Sequence, residues 1–380
     1  MKKVWEYYET DLDKVRYISE KFNVSEILAK ILVNRNILDD KELEVFLNPT
    51  RNDFYDAFMM LDIEKAVDRI ISAINTKEKV IIYGDYDVDG ITSIAVLKKF
   101  LDERGLIADY YIPNRLSEGY GLNKEAIEEI AKKNYTLIIT VDCGISSIEE
   151  VEFAKKLGIE IIITDHHEQE NIIPNAFAVV NPKRKESKYP FRELAGVGVA
   201  FKLIQAIGIK LGLDEKEYLK YLDIVAIGTI SDIVPLRHEN RVITKLGLKL
   251  LAMTSNMGLR ELLATSGSKV IGSNTVSFGI APKINACGRM GHKYEALELL
   301  LASNIEEVKQ ISQKLNEFNL ERKEIEKVIF EEAVAKIEQE AVGAHDCARF
   351  ECCATHKQHC NCRRRLASRC SRNRCFKASR

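Results

Sequence analysis

Six aspartates and two histidines stand in four short clusters along the middle of the chain. Asp85, Asp87 and Asp89 alternate in DYDVDG, Asp142 lies in VDCG, Asp165, His166 and His167 are consecutive, and Asp232 lies in SDIVPL. Carboxylates beside imidazoles suit manganese, iron or zinc better than calcium, because nitrogen donors favour transition metals. Two adjacent ions sharing a bridging carboxylate polarise a phosphoryl oxygen and supply hydroxide at neutral pH, the usual chemistry of phosphoester hydrolysis. A calcium loop of the EF-hand type requires a distal glutamate and flanking helices. Val96 stands at that distal position, and an apolar run precedes the motif, so the calcium reading fails.

Three apolar runs must position these groups. They are KVIIYG before Asp85, YTLIITV before Asp142 and IEIIIT before Asp165. Runs of Val and Ile bounded by turn residues read as buried parallel strands. In open α/β sheets, ligands sit outside the carboxyl ends of such strands. Side by side, the three strands bring the acids and histidines to one rim, where divalent cations must offset the carboxylate repulsion. Alternate residues of an extended segment point the same way, which lets Asp85, Asp87 and Asp89 converge. Gly90 then permits a sharp turn into the next helix.

Around these strands the pattern alternates with helices, which predicts a doubly wound, mostly parallel α/β sheet over residues 76–302. Crossover helices are expected at Lys124–Lys133 and Ser147–Leu157, a glycine-opened helix over 194–211, and another ending at Ser231-Asp232. Residues 1–75 read as a helical extension. Residues 303–340 read as one long connector helix with Val308, Ile311, Leu315, Phe318, Ile325 and Ile329 on a single stripe.

The 380 residues are 46% hydrophobic and 30% charged, which fits a soluble globular protein of one or two domains. No apolar run reaches the roughly 20 residues needed to span a bilayer, so no membrane partner is expected. The opening MKKVWEYYETDLDK lacks the apolar core of a signal peptide, and a cytoplasmic location is expected. The net charge of −1 hides a split: residues 341–380 carry +8 and the rest −9. An acidic body argues against gross electrostatic capture of nucleic acid, though not against a local basic channel. Cys143 and Cys287 alone precede residue 341, as expected of a reducing compartment, and both read as small buried filler.

The four clusters, in this order, resemble the DHH phosphoesterases, named for a motif matching Asp165-His166-His167. Further segments place the resemblance in the branch of single-stranded-DNA-specific exonucleases. These are the helical extension, IPNRLSEGYGL at 112–122, NPKRKESKYPFRELAGVGVAFKL at 181–203 and APKINACGRMG at 281–291. The resemblance covers about residues 1–340. It implies a two-metal enzyme, using manganese or magnesium, that degrades single-stranded DNA 5′→3′ in repair and recombination. It also implies a monomer that works with a helicase or single-strand-binding protein. By the same resemblance Asp87, Asp89, Asp142, His166 and Asp232 are metal ligands, with Asp142 bridging and Asp85 a weaker ligand. His167 lies near the scissile phosphate, and Asp165 orients a histidine. Arg289 holds phosphate, with Asn285 and Gly288 in the same loop, and Arg115 with Tyr120 contacts the strand. Relatives acting on short oligonucleotides or nucleotides lack the extension and the NRLSEGYG segment. A non-catalytic binding protein would be expected to lose ligands.

From Ala341 the sequence departs from that pattern. It has no helical or strand period and seven cysteines among ten basic residues. His356, His359, Cys360 and Cys362 have zinc-like spacing without a clean pair of CxxC units. A foreign, disordered tail is the reading preferred over a zinc module or a basic nucleic-acid-binding arm.

Overall fold

The computed structural model describes residues 8–114, 118–170 and 172–347, the last ten as backbone. The chain divides into two compact units, Met1–Arg322 and Lys323–Arg380. Among the described residues no helix is long and apolar enough to cross a membrane.

The extension opens with α1 (Leu12–Phe22), α2 (Glu26–Asn34) and α3 (Asp40–Leu47). Each starts where a side chain takes up otherwise unpaired amide groups: Asp11, Ser25 and Asp39 accept from the first turns. The three helices bury a small core of their own, including Val15, Ile18, Leu32 and Leu43. Arg237 anchors that core to the body by gripping the Glu42 carboxylate through two nitrogens.

The central sheet follows α4 (Ile63–Thr76) and comprises β1 (Val80–Gly84), β2 (Asp109–Tyr111), β3 (Leu137–Val141), β4 (Glu160–Thr164) and β5 (Ala178–Val180). Its order is β2-β1-β3-β4-β5, parallel throughout where the sequence predicts a mostly parallel sheet. Alternate strand residues feed opposite faces. Ile82 and Ile139 enter the larger core with α5 (Val88–Asp102); Tyr83 and Ile138 enter a smaller one with α6 (Lys124–Lys132) and α7 (Ile148–Lys156). The larger core also takes α8 (Gly196–Lys210), while the short α9 (Lys216–Leu219) leads into α10 (Leu222–Ser231). Next come α11 (His238–Leu251), α12 (Met257–Ala264), a π-helical turn at Thr275–Ile280, α13 (Ala281–Arg289), α14 (Glu295–Leu301) and α15 (Ile305–Cys347).

Three local expectations are corrected. DYDVDG is not extended throughout: α5 begins at Val88, so Asp89 and Gly90 lie inside its first turn. The Asp87 carboxylate accepts the Gly90 N–H at 3.0 Å and starts the helix two residues ahead of the glycine. The NACGR segment is the end of a helix, with Pro282 in its first turn. Finally, α15 continues past residue 340 to Cys347. The zinc-like spacing and most of the tail lie outside the described residues.

Candidate metal centre

Gly84, Val141 and Thr164 are cross-strand partners at the carboxyl ends of β1, β3 and β4. The next residue of each strand, Asp85, Asp142 and Asp165, therefore leaves the sheet at one level. The ladder even continues past the strands, with the Asp142 N–H donating to Thr164 O and the Asp165 N–H to Val180 O. Asp87 and Asp89 come from the start of α5, and Asp232 from the end of α10.

His166 stands among the acids. Its Nε2 lies 3.1 Å from Asp142 Oδ1 and 3.7 Å from Asp89 Oδ2; its Nδ1 lies 3.7 Å from Asp232 Oδ2. Three overlapping sets each bring their ligand atoms within 4.8 Å of one another: Asp85, Asp87 and Asp142; Asp89, His166 and Asp232; and Asp142, His166 and His167. Asp142 and His166 each belong to two of them.

The backbone around the acids is specialised. Asp142 has φ of +60°, a left-handed conformation that is strained for a side chain, though least so for Asn and Asp. Both oxygens of Asp89 accept backbone N–H groups at the start of α8, from Gly196 and Val197. A Cβ on Gly196 would sit 2.6 Å from Asp142 Oδ1, so a glycine is required there.

Burial and mutual repulsion dominate the electrostatics. Burial, with the Asp87 charge beside it, pushes Asp89 up to about 7, and burial with the Asp89 charge does the same for Asp232. Burial and the Asp89 and Asp87 charges raise Asp142 well above the usual carboxylate range. Burial lowers His166, which keeps it neutral and available as a ligand. Asp142 Oδ1 and His166 Nδ1 are buried without a hydrogen-bond partner. Buried polar atoms left this way are costly, and a cation would satisfy both. The donor set, oxygens plus imidazole, fits a divalent transition metal.

Asp165 stands apart from these sets. Its Oδ1 accepts His167 Nδ1–H at 2.8 Å and the backbone N–H groups of His166 and His167, and its Oδ2 accepts from Ile145. Burial alone would raise this carboxyl, but the His167 hydrogen bond and these donors outweigh it and hold it low. Asp165 thus fixes the His167 tautomer, as a second-layer carboxylate does. The Tyr120 hydroxyl donates to Asp142 O at 2.9 Å and lies 3.2 Å from His167 Nδ1. This contact is invisible in the sequence, which placed Tyr120 only as a strand contact.

Arg289 ends α13, half-buried. A Cβ on its neighbour Gly288 would meet Tyr86 O at 2.9 Å, so α13 packs directly on the DYDVDG segment. Asn285 is half-buried one turn earlier. Arg115 lies outside the described residues. Cys143 and Cys287 are free and buried, and burial pushes both thiols up, Cys287 to about 12. Such thiols are inert filler.

Residues 79–229 match the model of the DHH family, N-terminal domain. The chain is 42% identical over 340 residues to the single-stranded-DNA-specific exonuclease RecJ of Bacillus subtilis, covering 89% of this chain and 42% of that protein. It is 36% identical over 290 residues to the Escherichia coli exonuclease of the same name, covering 73% and 50%. The chain thus spans about half the length of these relatives. Among solved structures, exonuclease RecJ bound to manganese is 33% identical, with a TM-score of 0.69 and coverage of 73% of this chain and 70% of that one. RecJ from Thermus thermophilus in complex with Mn2+ is 29% identical, with a TM-score of 0.73 and coverage of 85% and 46%.

Proposed function

The chain belongs to the DHH family, and from that membership we propose a metal-dependent exonuclease that hydrolyses single-stranded DNA from its 5′ end. The observation that carries the proposal is the sharing of Asp142 and His166 between ligand sets at the rim of β1, β3 and β4. Such sharing favours two neighbouring ions, with manganese or magnesium supported by the metals in the related structures. Asp85, Asp87 and Asp142 would hold one ion and Asp89, His166 and Asp232 the other, with Asp142, 3.1 Å from His166, bridging the two. Divalent ions in such a site polarise the phosphoryl oxygen and activate water.

The chain's own residues do the remaining work. Asp165 keeps the His167 proton on Nδ1, which leaves Nε2 to meet the phosphate or its leaving group. Tyr120 braces His167 against the β3 loop. Arg289 offers a guanidinium fork for a backbone phosphate. Phosphate contacts of this kind read no sequence, as a general exonuclease requires. The same reading includes a cytoplasmic monomer supplied with single strands by a helicase or a single-strand-binding protein.

The test is digestion of 5′-labelled single-stranded DNA, duplex DNA and a dinucleotide, with manganese and with chelator. Manganese-dependent release of mononucleotides from the single strand alone is expected. Preference for the dinucleotide would replace the proposal with a nucleotide or short-oligonucleotide phosphodiesterase. No hydrolysis of any substrate would overturn the proposed activity for this chain.

A further inference from the structure

Eight non-glycine residues adopt positive φ among the described residues, and five of them are Asn or Asp, which tolerate that conformation. Ile233, at +63°, is the only β-branched one. A β-branched residue there is a genuine outlier, because its side chain collides with its own backbone. Ile233 directly follows Asp232, so its Cα is about 3.8 Å from that of a residue in the Asp89–His166–Asp232 set.

The turn itself explains only half of this. A left-handed residue just past a helix end is a common way to stop a helix, and here it stops α10 so that Asp232 faces the site. Glycine or asparagine would make that turn with less strain. The isoleucine side chain contributes no packing in return, since it is 88% exposed. It therefore costs the fold strain and returns no buried area.

We propose that Ile233 is a substrate-contacting residue that packs against the nucleoside flanking the scissile phosphate. The proposal rests on the exonuclease reading above. Beside Asp232 stand the Asp89 carboxylate and the His166 imidazole, which serve a phosphate but offer no aliphatic surface to the sugar C–H groups and base face. A branched aliphatic side chain at that point excludes water from this apolar surface without distinguishing one base from another. Ile233 thus acts on ground-state binding and orientation, whereas the acids act on the chemistry.

The test compares wild type with Ile233→Gly and Ile233→Val. The readouts are thermal stability without substrate, manganese binding, anisotropy of a 5′-labelled oligonucleotide in calcium, and KM and kcat in manganese. Ile233→Gly is expected to raise Tm, leave manganese binding unchanged, weaken oligonucleotide binding and raise KM about tenfold, with kcat within about twofold. Ile233→Val should match wild type throughout. An oligonucleotide with an abasic 5′ end should shrink the difference between wild type and Ile233→Gly. Unchanged binding and KM in Ile233→Gly, or a fall in its Tm, overturns the inference while the exonuclease reading stands. A wild-type chain that neither binds nor cleaves the oligonucleotide overturns both.

Discussion

Asp89 is bound through both carboxylate oxygens to the start of α8, 2.6 Å from the Gly196 N–H and 2.9 Å from the Val197 N–H. It joins α5 to α8 while contributing to the acidic rim. Asp142 is the counterpart: its buried Oδ1 has no hydrogen-bond donor, and its backbone is left-handed.

The two residues should therefore respond oppositely in metal-free protein. Asp89→Ala removes a helix cap and is expected to cost about 1–2 kcal/mol in urea unfolding. Asp142→Asn removes a crowded charge and should raise the metal-free Tm. It should also abolish the stabilisation that manganese gives wild type, about 3 kcal/mol at a hundredfold excess over Kd. A lower metal-free Tm for Asp142→Asn would show that this carboxylate supports the fold.

Metal content should separate shared from unshared ligands. After manganese loading, elemental analysis of Asp142→Ala should find neither ion, and of Asp232→Ala mainly the loss of one. Full occupancy in Asp142→Ala would exclude a bridging role.

Lys202 and Glu239 form a buried ion pair at 3.0 Å, both inaccessible to solvent, with Tyr55 and Tyr189 completing the hydrogen bonds. Lys202→Met should cost about 3–5 kcal/mol by leaving a buried charge unpaired. Adding Glu239→Gln should recover part of that loss, because the amide is neutral and still accepts from Tyr55. Equilibrium urea unfolding measures both.

Arg69 grips Glu78 through two nitrogens at 2.6 and 2.7 Å and reaches Glu160 with its third. The Arg69 hydrogen bond is the largest influence on Glu78 and lowers its pKa, against an opposing effect of burial. A depressed folded-state pKa gives stability that is present above the unfolded value of 4.5 and lost as pH falls through the folded value. Glu78→Gln should therefore lower Tm at pH 7 and lower it much less at pH 3. An equal drop at both would mean packing, not charge, is lost.

Arg289→Ala should weaken oligonucleotide binding about equally for all sequences and flatten its salt dependence by about one phosphate contact. A changed base preference with an unchanged salt slope would contradict a phosphate role.

Much of the site could be read from the chain because its ligands follow strands whose buried, parallel character is written in continuous Val and Ile runs. Asp85, Asp142 and Asp165 needed only the assumption that those strands are neighbours. What stayed hidden depended on tertiary approach. Nothing local marks Asp89 as the cap of a helix more than a hundred residues later, or the Tyr120 hydroxyl as a brace for His167. The three-residue strands β2 and β5 are too short to carry a period. The helical state of NACGR was obscured by a glycine that lies on the Tyr86 backbone. The apolar stripe of α15 was visible in full, but Val308, Ile311 and Leu315 are buried whereas Ile325, Val328 and Ile329 are half exposed.

The in-step ends of β1, β3 and β4 make the site sensitive to length rather than to composition. A single residue inserted within Leu137–Val141 would turn Asp142 to the opposite face of the sheet while leaving every ligand in the sequence. The turns at the opposite end of these strands, away from the acids, are under no such constraint. The chain should thus accept a tag or a reporter between β3 and β4 at its far end, near Leu157–Gly158, and be silenced by one extra alanine inside the strand.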